Sequence, residues 1–249
     1  MKQLFPAMID RPEKPMVICG VFYCLIAFWT LPFLLLLFME GSRDNYAALA
    51  WGNMGYHIIN FIVAICIFRR YLAESFINVQ ADFKNILTVS LIAGSVMCLI
   101  MFLHIIGYFF LGSELMWMAA FGTLPLTEVE LFLLSSDVVR QVPIPGLVCM
   151  TVLTPISISC LFYSTAFAPA ACDRPWLGYL LVALMVAFPR ICNGMTHWVA
   201  SQQVTLYFLQ LPLHLLACWS YQKADTIWAP IICLSITNLF SAILQLLLF

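Results

Sequence analysis

Charge is scarce in this chain. Only 9% of its 249 residues are Asp, Glu, Lys or Arg, against an apolar fraction of 63% and a mean hydropathy of +0.99. Soluble domains carry about a quarter charged residues, so a water-soluble fold is excluded. The formal net charge of −1 leaves no basic field, and no nucleic-acid partner is expected. There is no C-x-x-C pair either. The ten cysteines are scattered singly at Cys19, Cys24, Cys66, Cys98, Cys149, Cys160, Cys172, Cys192, Cys218 and Cys233. Most fall in apolar runs, where a thiol behaves as a small hydrophobe, so neither a metal site nor a disulfide framework is expected. Walker loop, Rossmann glycine pattern and nucleophile elbow are absent, and no cofactor is expected. The polar lead 1–14 mixes acids with bases, and the apolar run after it is too long for a signal-peptide core. It reads as a retained first span.

What is present is a succession of apolar runs. A helix crossing the hydrocarbon core needs about 20 apolar residues, and on that rule the runs predict about seven spans: 16–39, 51–68, 85–111, 145–170, 176–192, 205–221 and 227–249. The expected fold is an all-α membrane protein, a polytopic helical bundle. Arg69-Arg70 is read as the stop of the second span, and 71–84, with Leu72, Phe76 and Val79 at helical spacing, as an interfacial helix. Segment 112–143 holds an apolar stretch too short to cross comfortably and reads as interfacial or re-entrant; an eighth span there is the alternative. Lys2, Arg11 and Lys14 precede the first span, and Arg69, Arg70 and Lys84 follow the second, whereas the alternate loops hold only Arg43 and Arg140. That asymmetry puts the N-terminus in the cytoplasm, and the later loops add no independent check.

Isolated polar residues inside the spans are the candidates for chemistry. His57 and His104 sit at similar depths on adjacent spans, so they are a candidate haem pair; hydrogen bonding to neighbouring helices is the plainer reading. His214 and Gln210 flank Pro212, whose ring frees a backbone carbonyl that either side chain would satisfy. His197 falls in an outer loop. Arg190, after Pro189, either snorkels to the interface or grips a lipid headgroup or a partner's carboxylate. Glu128, Glu130 and Asp137 read as a solvated face or a docking surface.

The last stretch is the most specific. A polar turn, Lys223 to Thr226, leads into Ile227-Trp228-Ala229-Pro230 and then an apolar helix with one strongly polar residue, Asn238. Trp228 suits a membrane interface, and Pro230 falls in the first turn, where a missing N–H is harmless. Asn238 lies about three turns deep, where an amide must face protein rather than lipid.

This stretch resembles the closing segment of the CPBP family, the CAAX prenyl proteases and bacteriocin-processing intramembrane enzymes, in which I-W-A-P precedes a helix carrying H-x-x-x-N. The Asn is kept as Asn238; the His position is Leu234. The segment from Pro155 to Ser164 is similar to the family's first motif, a proline before E-E-x-x-x-R-G. Here the two Glu positions fall on Ile158 and Ser159, the Arg on Tyr163 and the Gly on Ser164. Trp176 to Phe188 is similar to the second motif, F-x-x-x-H, but its His position is Cys192. The resemblance implies a CPBP-like four-helix core over 145–249, preceded by helices and interfacial segments over 1–144. It also implies an active site emptied of its glutamates, arginine and histidines: Ile158, Ser159, Tyr163, Cys192, Leu234 and Asn238 are vestigial positions, and none is catalytic. Buried charges in a bilayer are tolerated where function requires them, so their wholesale replacement fits a retired site. The expected function is that of an inactive, CPBP-like accessory or binding subunit of a membrane complex, with membrane lipids and another integral membrane protein as partners, in a bacterial cytoplasmic membrane. A divergent intramembrane protease or peptide-processing protein, using Cys192, Cys160 or Ser159 with His197 or His214 as base, is the alternative from the enzyme class. A haem- or quinone-binding subunit is the third.

Overall fold

A computed structural model describes residues 11–26, 46–111, 143–194 and 200–248. Among these the chain is helical apart from short turns and carries no strand. We number the helices α1 (Lys14–Ile26), α2 (Tyr46–Ala81), α3 (Phe83–Leu111), α4 (143–173), α5 (Pro175–Gly194), α6 (Ala200–Ala224) and α7 (Trp228–Leu248). Each falls on one of the apolar runs expected to cross a membrane, α1 on the first part of 16–39 only, since 27–45 lies outside the described residues. Two are long and apolar enough to do so by length and composition alone: Phe83–His104 in α3, with mean hydropathy 2.5, and Ile144–Asp173 in α4, with 1.9. Lys14–Ile26, Pro175–Ala187 and Trp228–Leu244 are shorter apolar helices. α6 is diluted by Gln210, Pro212, His214 and Ser220. Segment 112–142 lies outside the described residues.

The interfacial helix expected at 71–84 is corrected by the structure. α2 does not stop at Arg69-Arg70 but runs unbroken for 36 residues to Ala81, about 54 Å at 1.5 Å per residue. Arginine is a good helix former, and Arg70 Nε donates to Glu74 Oε1 one turn on, at 2.8 Å, so a charge pair ends no helix. The face continuing past the arginines is also occupied. The hydroxyls of Tyr71 and Tyr221 are hydrogen-bonded, Ser75 Oγ meets Thr226 Oγ1 at 2.8 Å, and Trp228 Nε1 donates to the Leu72 carbonyl at 3.3 Å. The α6–α7 turn is thereby clamped to α2. The turn itself is sharp: Asp225 takes a positive φ of 50°, a left-handed stop that aspartate tolerates better than most residues.

α4 is the unusual element. It alternates α (Pro143–Val148), π (Cys149–Leu153), α (Thr154–Ile158), π (Ser159–Phe167) and α (Ala168–Asp173), with helical backbone at every junction. Each π stretch ends two residues before a proline, Pro155 and Pro169. A proline in a helix lacks its N–H and crowds the carbonyl four residues back; widening the turn to an i→i+5 pattern relieves that crowding. Hydroxyls then take up carbonyls along the rod. Thr151 donates to the Leu147 carbonyl and Ser157 to that of Leu153, each at 2.7 Å, and Thr165 donates to that of Leu161.

α7 packs chiefly against α3 and also against α6 and α4, while α5 packs against α6 and the C-terminal half of α4. Two glycines permit close approaches between these helices. A Cβ on Gly94 of α3 would lie 3.3 Å from Ile236 of α7, and one on Gly178 of α5 would lie 2.8 Å from the Phe167 ring of α4. The buried core so formed includes Phe68, Met97, Tyr163, Phe167, Leu213, Tyr221 and Leu234.

The antiparallel order brings α1's start, the α2–α3 junction, the α4–α5 turn and the α6–α7 turn to one end. Among the described side chains every lysine and arginine lies there: Arg11, Lys14, Arg69, Arg70, Lys84, Arg174 and Lys223, all exposed. Arg70 Nη1 also reaches Glu13 across to α1, at 3.5 Å.

Candidate functional site

The positions set against the CPBP motifs that the structure describes are all inside the bundle. Ile158, Ser159 and Tyr163 on α4 and Leu234 and Asn238 on α7 are each buried. Ile158, Tyr163 and Leu234 belong to one contiguous apolar core. The side chains of Cys192 and Arg190 lie outside the described residues, as does His197.

Asn238 is bound to α4. Its Nδ2 donates to the Met150 carbonyl at 2.8 Å, and the backbone explains why that acceptor is available. In the first π stretch the Thr154 N–H bonds the Cys149 carbonyl, so the same pattern assigns the Met150 carbonyl to residue 155. Residue 155 is proline and has no N–H to give. Asn238 supplies the donor that Pro155 cannot. An amide at this depth faces protein, as its polarity demands.

Tyr163, at the motif's arginine position, has its hydroxyl 2.9 Å from Nδ1 of His214 on α6, with the two rings edge-on at 6.2 Å. Cys218 and Cys233 are buried in the same core as Tyr163. Of the two side chains expected to satisfy the carbonyl freed by Pro212, His214 and Gln210, the first has its Nδ1 aimed at a neighbouring helix. α6 runs continuously through Pro212 from Ala200 to Ala224. The pairing was not visible in sequence, although a buried tyrosine always raises the question of where its hydroxyl goes. Ser159, at a motif glutamate position, is fully buried, and its Oγ has no hydrogen-bond partner among the described residues.

His57, one of the proposed haem pair, is buried with Nδ1 3.1 Å from Thr154 Oγ1 and its ring edge-on to Tyr56. That nitrogen is engaged in joining α2 to α4. His104 is buried, and its Nδ1 has no hydrogen-bond partner among the described residues.

The distribution of acid decides what the core can do chemically. Glu13, Glu74, Asp82, Asp173 and Asp225 all lie at the basic end of the bundle, so among the described residues no carboxylate reaches Ser159, Tyr163 or Asn238. No cluster of three or more His, Cys, Asp or Glu suited to a metal ion occurs among the described residues. Activation of water by a glutamate, as the CPBP motif requires, has no described group to perform it.

One large concavity faces outward. A groove of about 710 Å³ runs between α3 and α5 over the face of α6 that carries Pro212, Leu216 and Trp219, with walls that include Ile100 and Trp176. The core of motif positions and this groove are therefore separate features on opposite faces of α6. Comparison with known protein families, characterised proteins and solved structures finds no match for the chain.

Proposed function

We propose that this chain is an integral membrane protein of seven crossing helices, a degenerate relative of the CPBP enzymes that has given up hydrolysis and serves as a binding or accessory subunit for another membrane protein. One observation carries the reading. Tyr163 and Asn238, at the motif's arginine and asparagine positions, are both used to fasten helices together, while Ile158 and Leu234 fill the core between them. Groups spent on interhelical bonding in a low-dielectric interior are not free to bind water or an oxyanion. The experiment is purification from native membranes in mild detergent, followed by mass spectrometry of what accompanies the chain and by cleavage assays on CAAX-type and leader peptides. A stoichiometric membrane protein and uncut peptides are expected. Cleavage that is lost on mutation of Ser159, Cys160 or Asn238 would overturn the reading.

The orientation we propose, N-terminus in the cytoplasm, is supported by the same end of the bundle collecting Arg174 and Lys223 with Arg69, Arg70 and Lys84, as basic cytoplasmic loops do. A thiol placed by Lys223→Cys should react with a membrane-impermeant maleimide only from the cytoplasmic side. Labelling from the opposite side would reverse the topology.

A further inference from the structure

We propose that the groove between α3, α5 and α6 is a binding site for one acyl chain of a zwitterionic phospholipid, whose phosphate is held at the groove mouth by Arg174 and Lys223. The inference rests on the membrane-embedded reading above. The groove is lined almost wholly by carbon, from Ile100 and Val96 on α3 across Leu216 on α6 to Trp176 on α5. Along α6 it extends from Pro212 to Trp219, about 10 Å at the helical rise, and so lies within the roughly 15 Å of a single leaflet. Its volume is that of a ligand pocket, within the usual range of about 300–1,000 Å³.

The lining favours a chain over a partner helix. Transmembrane helices pack closely where Gly, Ala, Ser or Thr let the backbones approach, and no lining residue is one of these. Instead two tryptophans stand at the mouth, and Trp176 is 62% exposed. Indoles at the head of an apolar slot mark the headgroup level of a bilayer.

Apolar lining alone would not retain a lipid, because a chain gains nothing in leaving other chains. Selectivity must come from the mouth, and the turns next in sequence to its tryptophans are charged. Arg174 precedes Trp176 by two residues in the α4–α5 turn, and Lys223 lies one helical turn beyond Trp219 on the same face of α6; both are exposed. Asp173 and Asp225 occupy the same two turns, so the mouth offers both signs. Two cations suit a phosphate, and the neighbouring carboxylates disfavour a second negative charge while suiting an ammonium.

The test uses the two groove tryptophans as reporters. The full chain is reconstituted in phosphatidylcholine vesicles containing a minor fraction of acyl-brominated phosphatidylethanolamine, phosphatidylglycerol or diacylglycerol. The groove signal is the fluorescence quenching lost in the Trp176→Phe/Trp219→Phe variant. Quenching by brominated phosphatidylethanolamine is expected to exceed that by the other two at least about twofold. In Arg174→Gln/Lys223→Gln it should fall to the level of brominated diacylglycerol, which carries the same chains and no phosphate. Equal quenching by all three lipids, or preference for phosphatidylglycerol, would overturn the site while leaving the membrane reading intact. No quenching of any tryptophan by any brominated lipid would overturn both.

Discussion

Replacing Asn238 by leucine is expected to destabilise the folded protein by about 1–2 kcal/mol, more than the loss of an average interhelical hydrogen bond in a membrane protein. The reason is the carbonyl on the other side. Met150 receives the Asn238 amide at 2.8 Å, and the π pattern that starts at Cys149 would otherwise assign it the N–H of residue 155, which proline lacks. Leucine therefore removes a bond and also strands a buried acceptor, and stranding is the larger part of the loss. The decisive measurement is a double-mutant cycle in detergent-solubilised protein. In a Pro155→Ala background, an N–H is again present one π turn from the carbonyl, and the same Asn238→Leu change should cost less than half as much. Equal costs in both backgrounds would mean that Asn238 stabilises α7 for some other reason, and the proline-compensation argument would fall. The outcome also bears on ancestry. If Asn238 serves only to repair α4, its agreement with the CPBP motif is a structural requirement rather than a remnant of catalysis.

Helix positions were legible in the sequence because apolar runs are bounded by residues that water must reach: Asp173-Arg174 before α5 and Lys223 to Thr226 before α7. Two things were not. The end of α2 was misplaced because Arg69-Arg70 marks a change of environment, which a helix crosses freely when its next turns have something to pack on. Leu72, Ser75 and Val79 stay buried past the arginines against Trp228, Thr226 and Ala229, and no local pattern reveals that. The partners of buried polar groups were the second. Sequence requires that Asn238 and His214 meet protein, since an unsatisfied amide or imidazole is costly in an apolar interior. It does not say which of several helices supplies the mate. The prolines at 155 and 169 were plain in the sequence, but their effect on α4, two wide turns and a diverted carbonyl, depends on what stands opposite. Asn238 stands opposite the first wide turn, 88 residues beyond Met150 in the chain. The groove was equally hidden, because its lining comes from α3, α5 and α6 and none of these residues is unusual in its own helix.

Ser159 offers the sharpest contrast between two substitutions at one atom. Its hydroxyl is fully buried with no hydrogen-bond partner among the described residues, so Ser159→Ala should leave the unfolding midpoint unchanged or raise it slightly; deleting a buried, unpaired polar group removes a desolvation penalty. Ser159→Glu, which would restore a carboxylate at a position where the CPBP motif has one, should instead abolish folded yield. No described lysine or arginine lies in the core to pair with a glutamate there, the Nδ1 atoms of His57 and His214 are already engaged, and a charge near the centre of a bilayer costs roughly 2.5–3.5 kcal/mol even on the mildest scale. The added volume compounds this, since Tyr163, Cys160 and Leu161 are already close-packed in the same turns, and overfilling a packed core costs about 1–3 kcal/mol more. Monodisperse yield by size-exclusion chromatography in detergent reads both. A Glu variant that folds and runs as wild type would show that the interior still accommodates a carboxylate, and the case for a retired active site would lose its physical basis. A variant that folds only together with Tyr163→Arg would say something more specific: positions 159 and 163 can hold a charge pair inside this bundle.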